Sequence, residues 1–216
     1  MNEKFFDLKK EKQDRMINAA LKVFALNGYR HASTDDIVRE AAISKGLLFH
    51  YFENKLGVYA FVYDYSVRYL LLELSTAVDA KETDLFTLMQ QVETGKMHAM
   101  CGYPYLQPFL NRAQAENVNE ALVAVEERKQ QMEKAYENIY ARADLGKYAA
   151  AEDVVKLRKM MELTIKGLMN ERILEDAFQP EMLYEEILEY LQLSRRLAER
   201  SGQPSDEELS LIHISE

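Results

Sequence analysis

Two long stretches of this chain contain neither of the residue types that most often end a helix or form a tight turn. Residues 58–94 and residues 109–145 each run for 37 positions without a glycine or a proline. Hairpins and tight turns depend on these residue types, so such stretches leave little room for short strands. Amphipathic helices fit the hydrophobic spacing instead, and we find no repeat and no convincing strand pattern. The sequence therefore predicts an all-α protein.

Hydrophobic spacing and capping residues divide the chain into about nine helices. In the first, Ile17, Leu21 and Phe24 lie on one face, and Gly28 suits a left-handed cap at its end. Ser33 is a typical N-cap for the second. The predicted helices span about 9–27, 34–42, 45–52, 55–74, 81–94, 107–115, 118–143, 151–174 and 180–200.

Charge is divided unevenly along the chain, whose formal net charge is −9. Residues 1–57 hold ten Lys and Arg against eight Asp and Glu, which leaves a mildly basic head and a strongly acidic body. The single cysteine, Cys101, excludes an internal disulfide. Because no apolar run approaches the roughly 18 residues needed to span a bilayer, we expect a cytoplasmic protein with no membrane contact.

The second and third helices form a helix-turn-helix pattern with its turn at Ile43 and Ser44. Leu48 and Phe52 are four residues apart and should pack on the second helix, while Gly46 and His50 point the other way. A nearby lysine, Lys45, can donate to guanine in a major groove, and helix N-termini can hold phosphates. The pattern predicts a DNA-reading helix, although a helical corner with no nucleic-acid role remains the alternative.

Residues 17–29, the pair Ser33-Thr34 and residues 43–55 resemble the DNA-binding head of the tetracycline-repressor (TetR/AcrR) family. The resemblance is specific over about residues 13–57. It departs from the family pattern at Ala42, Leu47 and Phe49, where Gly, Thr or Ser, and Tyr are common. Together with the helix-capping argument it implies these DNA-contacting residues: Ser33, Thr34, Ser44, Lys45, Gly46, Leu47, Phe49, His50, Tyr51 and Lys55.

The same resemblance implies how the rest of the chain is organised. Residues 1–54 would form the DNA-binding domain, and residues 55–200 a helical domain that binds an effector and forms a homodimer through the last two helices. Residues 201–216 would be a loose tail, whose apolar end resembles translated read-through more than a natural helix end. The implied function is repression at a palindromic operator in double-stranded DNA, near the nucleoid, with release by a largely apolar or aromatic small molecule. The fourth helix, pivoting near residues 54–57, would carry the signal.

Two sets of residues in the body are predicted from their type and spacing. The candidate effector-binding residues are rich in rings and thioethers, which suit a greasy or planar ligand: Tyr63, Phe86, Met89, Met97, Tyr103, Phe109, Tyr136, Tyr140 and Met161. The candidate dimer residues recur at three and four on the last two helices: Leu157, Met161, Thr164, Leu168, Leu183, Ile187, Leu191 and Ser194. Ordinary core packing within one chain is the alternative for both sets.

Other functional classes find little support in the sequence. There is no nucleophile elbow, phosphate loop or acid–base pair at readable spacing, so we expect no enzyme and no cofactor. His98 and Cys101 are too few to suggest a metal site, and we expect none. The rival from another class is a ligand-binding or protein-interaction module whose helix-turn-helix has lost operator recognition, since Leu47 and Phe49 lack the usual hydroxyls. Activation instead of repression also remains open.

Overall fold

The computed structural model of the protein describes residues 3–148, 150–174 and 178–200. Within those ranges the chain forms nine α-helices, two short 3-10 helices and no strand, which confirms the all-α prediction. The α-helices are α1 (Lys10–His31), α2 (Thr34–Ala41), α3 (Lys45–Phe52), α4 (Lys55–Ala77), α5 (Leu85–Gly102), α6 (Leu106–Gln114), α7 (Asn119–Tyr140), α8 (Ala151–Arg172) and α9 (Pro180–Arg200). The 3-10 helices are Glu3–Asp7 and Leu145–Lys147. The predicted tail, residues 201–216, lies outside the described residues.

The first helix ends differently from the prediction. Gly28 has a positive φ of 68°, as expected for a cap, but its ψ of 174° is extended instead of left-handed helical. Only glycine adopts this combination without strain. The chain then makes one more turn to His31, and the amide of Ala32 donates to the carbonyl of Gly28 at 3.1 Å.

The predicted bounds of the fifth helix were wrong at both ends. The helix begins at Leu85, because Asp84 caps it by accepting a hydrogen bond from the Thr87 amide at 2.9 Å. It also continues through Gly95. A side chain there would come within 3.0 Å of Leu74, so this glycine lets α4 and α5 pack closely and does not end the helix.

The apolar core has two parts. The first joins the head to α4, α6 and α7, and its centre is aromatic: the ring of Phe24 lies 5.0 Å from that of Tyr59, which lies 5.5 Å from that of Phe109. The second joins α5 to α8 and α9. Because α5 packs on both α4 and α9, it connects the two parts.

The predicted dimer stripe faces mostly inward. Met161, Leu183, Ile187, Leu191 and Ser194 are buried within a single chain, which is the intramolecular alternative. Leu157, Thr164 and Leu168 are half-buried.

A different set of apolar side chains is exposed on these two helices. The exposed set is Val155, Met160 and Leu163 on α8, and Met182, Tyr190, Leu193 and Leu197 on α9. Gly167 also faces open space. None of the described helices is both long and apolar enough to cross a membrane.

Candidate nucleic-acid interface and ligand cavity

Two serines set the geometry of the helix-turn-helix. The Ser33 hydroxyl accepts from the amide of Asp35 at 3.1 Å, and the Ser44 hydroxyl accepts from the amide of Leu47 at 3.2 Å. Each serine thus satisfies an amide that the first turn of a helix leaves unpaired. Beneath the turn Leu48 is fully buried together with Ile37, as predicted. These contacts fix the orientation of α3 relative to α2.

The outer face of α3 carries the predicted DNA-reading residues. Lys45, Gly46 and His50 are exposed. The Lys45 ammonium lies 2.7 Å from a carboxylate oxygen of Asp35 on α2 and 6.0 Å from the centre of the Phe49 ring. The remaining predicted residues are placed as follows: Ser44 is exposed, while Ser33, Thr34, Leu47, Phe49, Tyr51 and Lys55 are half-buried. The face therefore offers a cation, an imidazole and aromatic edges together.

Lys55 has a role that sequence reasoning missed. Its ammonium donates to the carbonyls of Tyr29 at 2.9 Å and Ala32 at 3.3 Å, and it lies 4.5 Å from the centre of the Tyr29 ring. A cation at this place satisfies carbonyls that the last turn of α1 leaves unpaired. Lys55 thus ties the start of α4 to the end of α1, and its predicted phosphate contact stays a prediction.

The backbone between α3 and α4 is tightly constrained. Glu53 has a φ of 63° and a ψ of −50°, and the amide of Asn54 donates to the carbonyl of Phe52 at 2.6 Å, which makes a γ-turn. Asn54 then caps α4 by accepting from the amide of Gly57 at 2.8 Å. A side chain at Gly57 would lie 2.0 Å from the Phe52 carbonyl oxygen, so only glycine fits this junction.

Polar contacts hold the head on the body. The segment after α6 contributes Glu116, which accepts from the amide of Tyr29 at 2.9 Å, and α7 contributes Glu120, which accepts from the Tyr29 hydroxyl at 2.6 Å. Burial works against ionisation of Glu116, but backbone hydrogen bonds, from Asn117 and Tyr29 first, lower its pKa. At the other end of α1, the Tyr103 hydroxyl donates to Asp14 at 2.6 Å. The last turn of α1 is thus coupled to the loop that follows α6.

A cavity of about 580 Å³ lies in the body. It is lined by residues of α5, α6, α7 and α8 and by Ala141, just after α7. Its lining residues are Met89, Glu93, Lys96, Gln107, Asn111, Gln114, Glu133, Tyr136, Glu137, Tyr140, Ala141, Arg158, Glu162, Ile165, Lys166 and Met169. This volume falls in the range of small-molecule sites.

Three of the predicted effector residues line this cavity, and six lie elsewhere. Met89, Tyr136 and Tyr140 are brought together. The other six are placed as follows: Tyr63 packs on Phe109 in the first core, Phe86 packs on Tyr148, Met97 lies beside Cys101, Tyr103 bonds Asp14, and Met161 is buried in the second core. Those six side chains are held by packing or polar contacts away from this cavity.

The cavity is much more polar than the sequence suggested. Its α6 wall consists of the amide side chains of Gln107, Asn111 and Gln114, which are spaced by four and three residues and share one helix face. That spacing is the signal in the sequence that could have found them. The predicted set contained only aromatic and methionine side chains, because amide side chains on a helix are usually solvated.

Comparison with known proteins supports the resemblance of the head. The family model of bacterial regulatory proteins, tetR family, matches residues 16–60. The HTH-type transcriptional regulator YuxN of Bacillus subtilis is 36% identical over 78 residues, which cover 34% of this chain and 26% of that protein. The match thus spans about a quarter of that relative's length.

Solved structures are similar in fold to most of the chain. A TetR family transcriptional regulator from Chloroflexus aurantiacus matches with a TM-score of 0.54 at 22% identity, covering 92% of this chain and 93% of that one. The fatty acid degradation regulator FadR from Bacillus halodurans matches with a TM-score of 0.54 at 19% identity, covering 82% of this chain and 96% of that one. At these identities the likeness concerns the fold alone.

The structure is a capped helix-turn-helix head joined to a larger all-α body. The head is similar in sequence to regulatory proteins of the tetR family, and the fold is similar to that of solved TetR-family regulators. Because the matched family consists of regulatory proteins, this similarity agrees with the prediction that the chain is not an enzyme.

Proposed function

We propose that this protein is a transcriptional regulator whose α3 enters the major groove of an operator. The observation that carries the proposal is the outer face of α3, where Lys45, Gly46 and His50 are exposed on a helix fixed by two serine caps. Such a face can bring a lysine to guanine O6 and N7, while the helix N-terminus meets phosphate. We propose repression, with release when a ligand occupies the body cavity.

The homodimer that would read a palindrome requires a surface outside the single-chain core. The exposed apolar side chains supply one, because Leu163 on α8 and Leu193 on α9 are about half exposed in the single chain. The open backbone at Gly167 allows close approach of a second copy. The proposed dimer thus uses the predicted pair of helices, with a face next to the predicted stripe.

One helix, α6, forms part of the cavity wall and also packs on α1 of the head. Gln107, Asn111 and Gln114 form the cavity wall on this helix, and two residues beyond it Glu116 holds the Tyr29 amide at the end of α1. Lys55 binds carbonyls of the same turn of α1, so a shift of α6 would reach the start of α4 as well. This refines the hypothesis that α4 pivots near residues 54–57. Only a ligand that prefers one arrangement can cause the shift.

The second candidate function is an interaction module that no longer recognises an operator. It is favoured by the apolar side chains of Leu47 and Phe49 on the α3 face and by the pairing of Lys45 with Asp35. The two candidates differ in their salt dependence, because phosphate contacts impose a steep fall of affinity with salt.

A binding experiment tests the proposed function. Fluorescence anisotropy would measure the affinity of the purified protein for promoter fragments flanking its own gene against random duplex at several salt concentrations. We expect selective binding of a fragment with an inverted repeat, and a loss of about 5- to 150-fold in Lys45→Ala, the range for one base-reading side chain. Lys81→Ala, which removes the same charge from an exposed site in the body, is the matched control. Equal binding of all fragments would favour the second candidate.

A further inference from the structure

Two buried oxygen atoms in residues of the cavity wall have no hydrogen-bond partner. They are Oε1 of Gln107 and Oη of Tyr136. Both atoms are covered by surrounding protein atoms, and the Gln107 residue is only 7% exposed. Unpaired buried polar groups are rare, and each one costs free energy that a bound partner would recover. A ligand whose donor groups reach these two atoms would therefore recover that free energy.

The hydrogen bonds along α6 determine which atom of Gln107 is unpaired. Its Nε2 donates to Oδ1 of Asn111 at 2.9 Å, and Nδ2 of Asn111 lies 3.2 Å from the sulfur of Met169. A thioether sulfur can only accept a hydrogen bond, which orients the Asn111 amide and, through it, the Gln107 amide. The unpaired atom is thus the carbonyl oxygen of Gln107, and it requires a donor.

The cavity wall has three cations, of which two are paired with glutamates and the third, Lys166, donates to the amide oxygen of Gln114 at 2.9 Å. The Lys96 ammonium lies 2.7 Å from Glu93 and 5.6 Å from the centre of the Tyr136 ring. The Arg158 guanidinium lies 3.1 Å from Glu162 and 4.4 Å from the centre of the Tyr140 ring. A ligand carboxylate would have to compete with Glu93 or Glu162 for either cation. The lining as a whole has four glutamates against three cations.

We propose that the cavity binds a small organic amine in its protonated form, with an aromatic or alicyclic body. Its N–H groups would donate to Oε1 of Gln107 and to Oη of Tyr136, and the Glu137 carboxylate would favour its charge. Because both oxygen atoms are covered in this structure, the Gln107 and Tyr136 side chains turn toward the cavity as the amine enters. The inference rests on the proposed ligand-regulated function and names the chemical class of its ligand.

Burial raises the pKa of Tyr136, so its phenol stays neutral at physiological pH. A neutral hydroxyl can accept from an ammonium and donate elsewhere at once. The same rings of Tyr136 and Tyr140 offer an apolar surface for the body of the ligand.

Calorimetry with four probes of nearly equal size tests the proposal on the full chain. The probes are 1-naphthylmethylamine, its N,N,N-trimethyl derivative, 1-naphthalenemethanol and 1-naphthoate. We expect the amine to bind at least tenfold more tightly than the carboxylate and more tightly than the trimethyl derivative, which has the charge but no N–H. Equal or tighter binding of the carboxylate would overturn the proposal, as would the absence of binding by every probe at millimolar concentration.

Two variants locate the site, each with a matched control. Gln107→Leu should reduce the preference for the amine over its trimethyl derivative, since only the Tyr136 hydroxyl then remains to accept, while Gln90→Leu on the exposed face of α5 should leave it unchanged. Glu137→Gln should reduce the binding of the amine and of its trimethyl derivative. Glu126→Gln, which is also exposed on α7, should not. Since Glu137 is exposed, its variant remains informative if Gln107→Leu fails to fold. Unchanged preferences in Gln107→Leu and Glu137→Gln would assign the binding to another place.

The same samples separate this inference from the proposed function. Amine binding that leaves the affinity for DNA unchanged would contradict the regulatory mechanism and support the ligand class. Ligand-sensitive DNA binding in which only the carboxylate acts would support regulation and contradict the ligand class.

Discussion

Ala42 holds a backbone conformation in the turn of the helix-turn-helix that suits glycine. Its φ of 52° and ψ of 50° are left-handed helical, which costs an alanine roughly 1–2 kcal/mol. Glycine removes that strain but loses about 0.5–1 kcal/mol in chain entropy on folding. We therefore expect Ala42→Gly to raise the free energy of unfolding by about 0.5–1 kcal/mol in urea denaturation. Ala41→Gly, at a regular helical position, should lower it, and a loss in both variants would contradict the strain.

Asp35 forms an ion pair with Lys45, the lysine proposed to read DNA. The two side chains are 50% and 67% exposed, so their ion pair adds little to stability. The Asp35 carboxylate would also repel the phosphates of DNA bound next to α3. We expect Asp35→Asn to tighten binding to random duplex and to steepen the slope of log affinity against log salt by about 0.9, which is one more phosphate neutralised.

Asp36→Asn is the control for this prediction, because it removes the same charge from the same turn but its partner is Arg39. If Asp36→Asn changes the salt slope as much as Asp35→Asn, the effect is one of net charge and not of Lys45.

Asp84 connects three separate elements of the body. It caps α5 through the Thr87 amide at 2.9 Å, accepts from the Tyr148 hydroxyl at 3.2 Å, and pairs with Arg195 of α9. Burial opposes its ionisation, but the bonds from Thr87 and the charge of Arg195 lower its pKa. Because the folded pKa lies below the unfolded one, the ionised carboxylate stabilises the fold above the unfolded pKa, near 3.9, and this contribution is lost as the pH falls through the folded value.

We expect Asp84→Asn to lower the free energy of unfolding by about 1 kcal/mol at pH 7, since asparagine still caps the helix but cannot pair with Arg195. The difference from the unchanged protein should hold above about pH 5 and shrink below about pH 4 in urea denaturation. Asp79→Asn, which removes a carboxylate that accepts only from a local amide, should show a smaller difference. An acid profile of Asp84→Asn parallel to that of the unchanged protein would refute the assignment.

The exposed apolar face of α8 and α9 leads to a prediction for the whole molecule. Leu163 and Leu193 are 58% and 45% exposed in one chain, whereas Leu72 on α4 is 61% exposed. Leu163→Glu and Leu193→Glu should each convert the proposed dimer to a monomer in sedimentation and weaken binding to the proposed palindrome. Leu72→Glu places the same charge on an equally exposed leucine and should stay dimeric. Dimers in all three variants would move the interface elsewhere.

Features that depend on residues a few positions apart could be predicted from the sequence. Ser33 caps its helix as predicted, and Ser44 and Asn54 cap theirs in the same way, because a cap bonds an amide two or three positions away. The long stretches without glycine or proline likewise determined the all-α class. Because the two partners of such a hydrogen bond are close in the sequence, the bond can be predicted without knowing the fold.

The tertiary structure alone decided features whose partners are far apart in sequence. Lys55 bonds carbonyls 23 to 26 positions before it, and Asp84 is held by Arg195, 111 positions away. The cavity is formed by side chains of four helices, so residue type could not separate its lining from ordinary core. Which face of α9 is buried was decided in the same way, because both faces carry leucines and packing on α5 and α8 covers one of them.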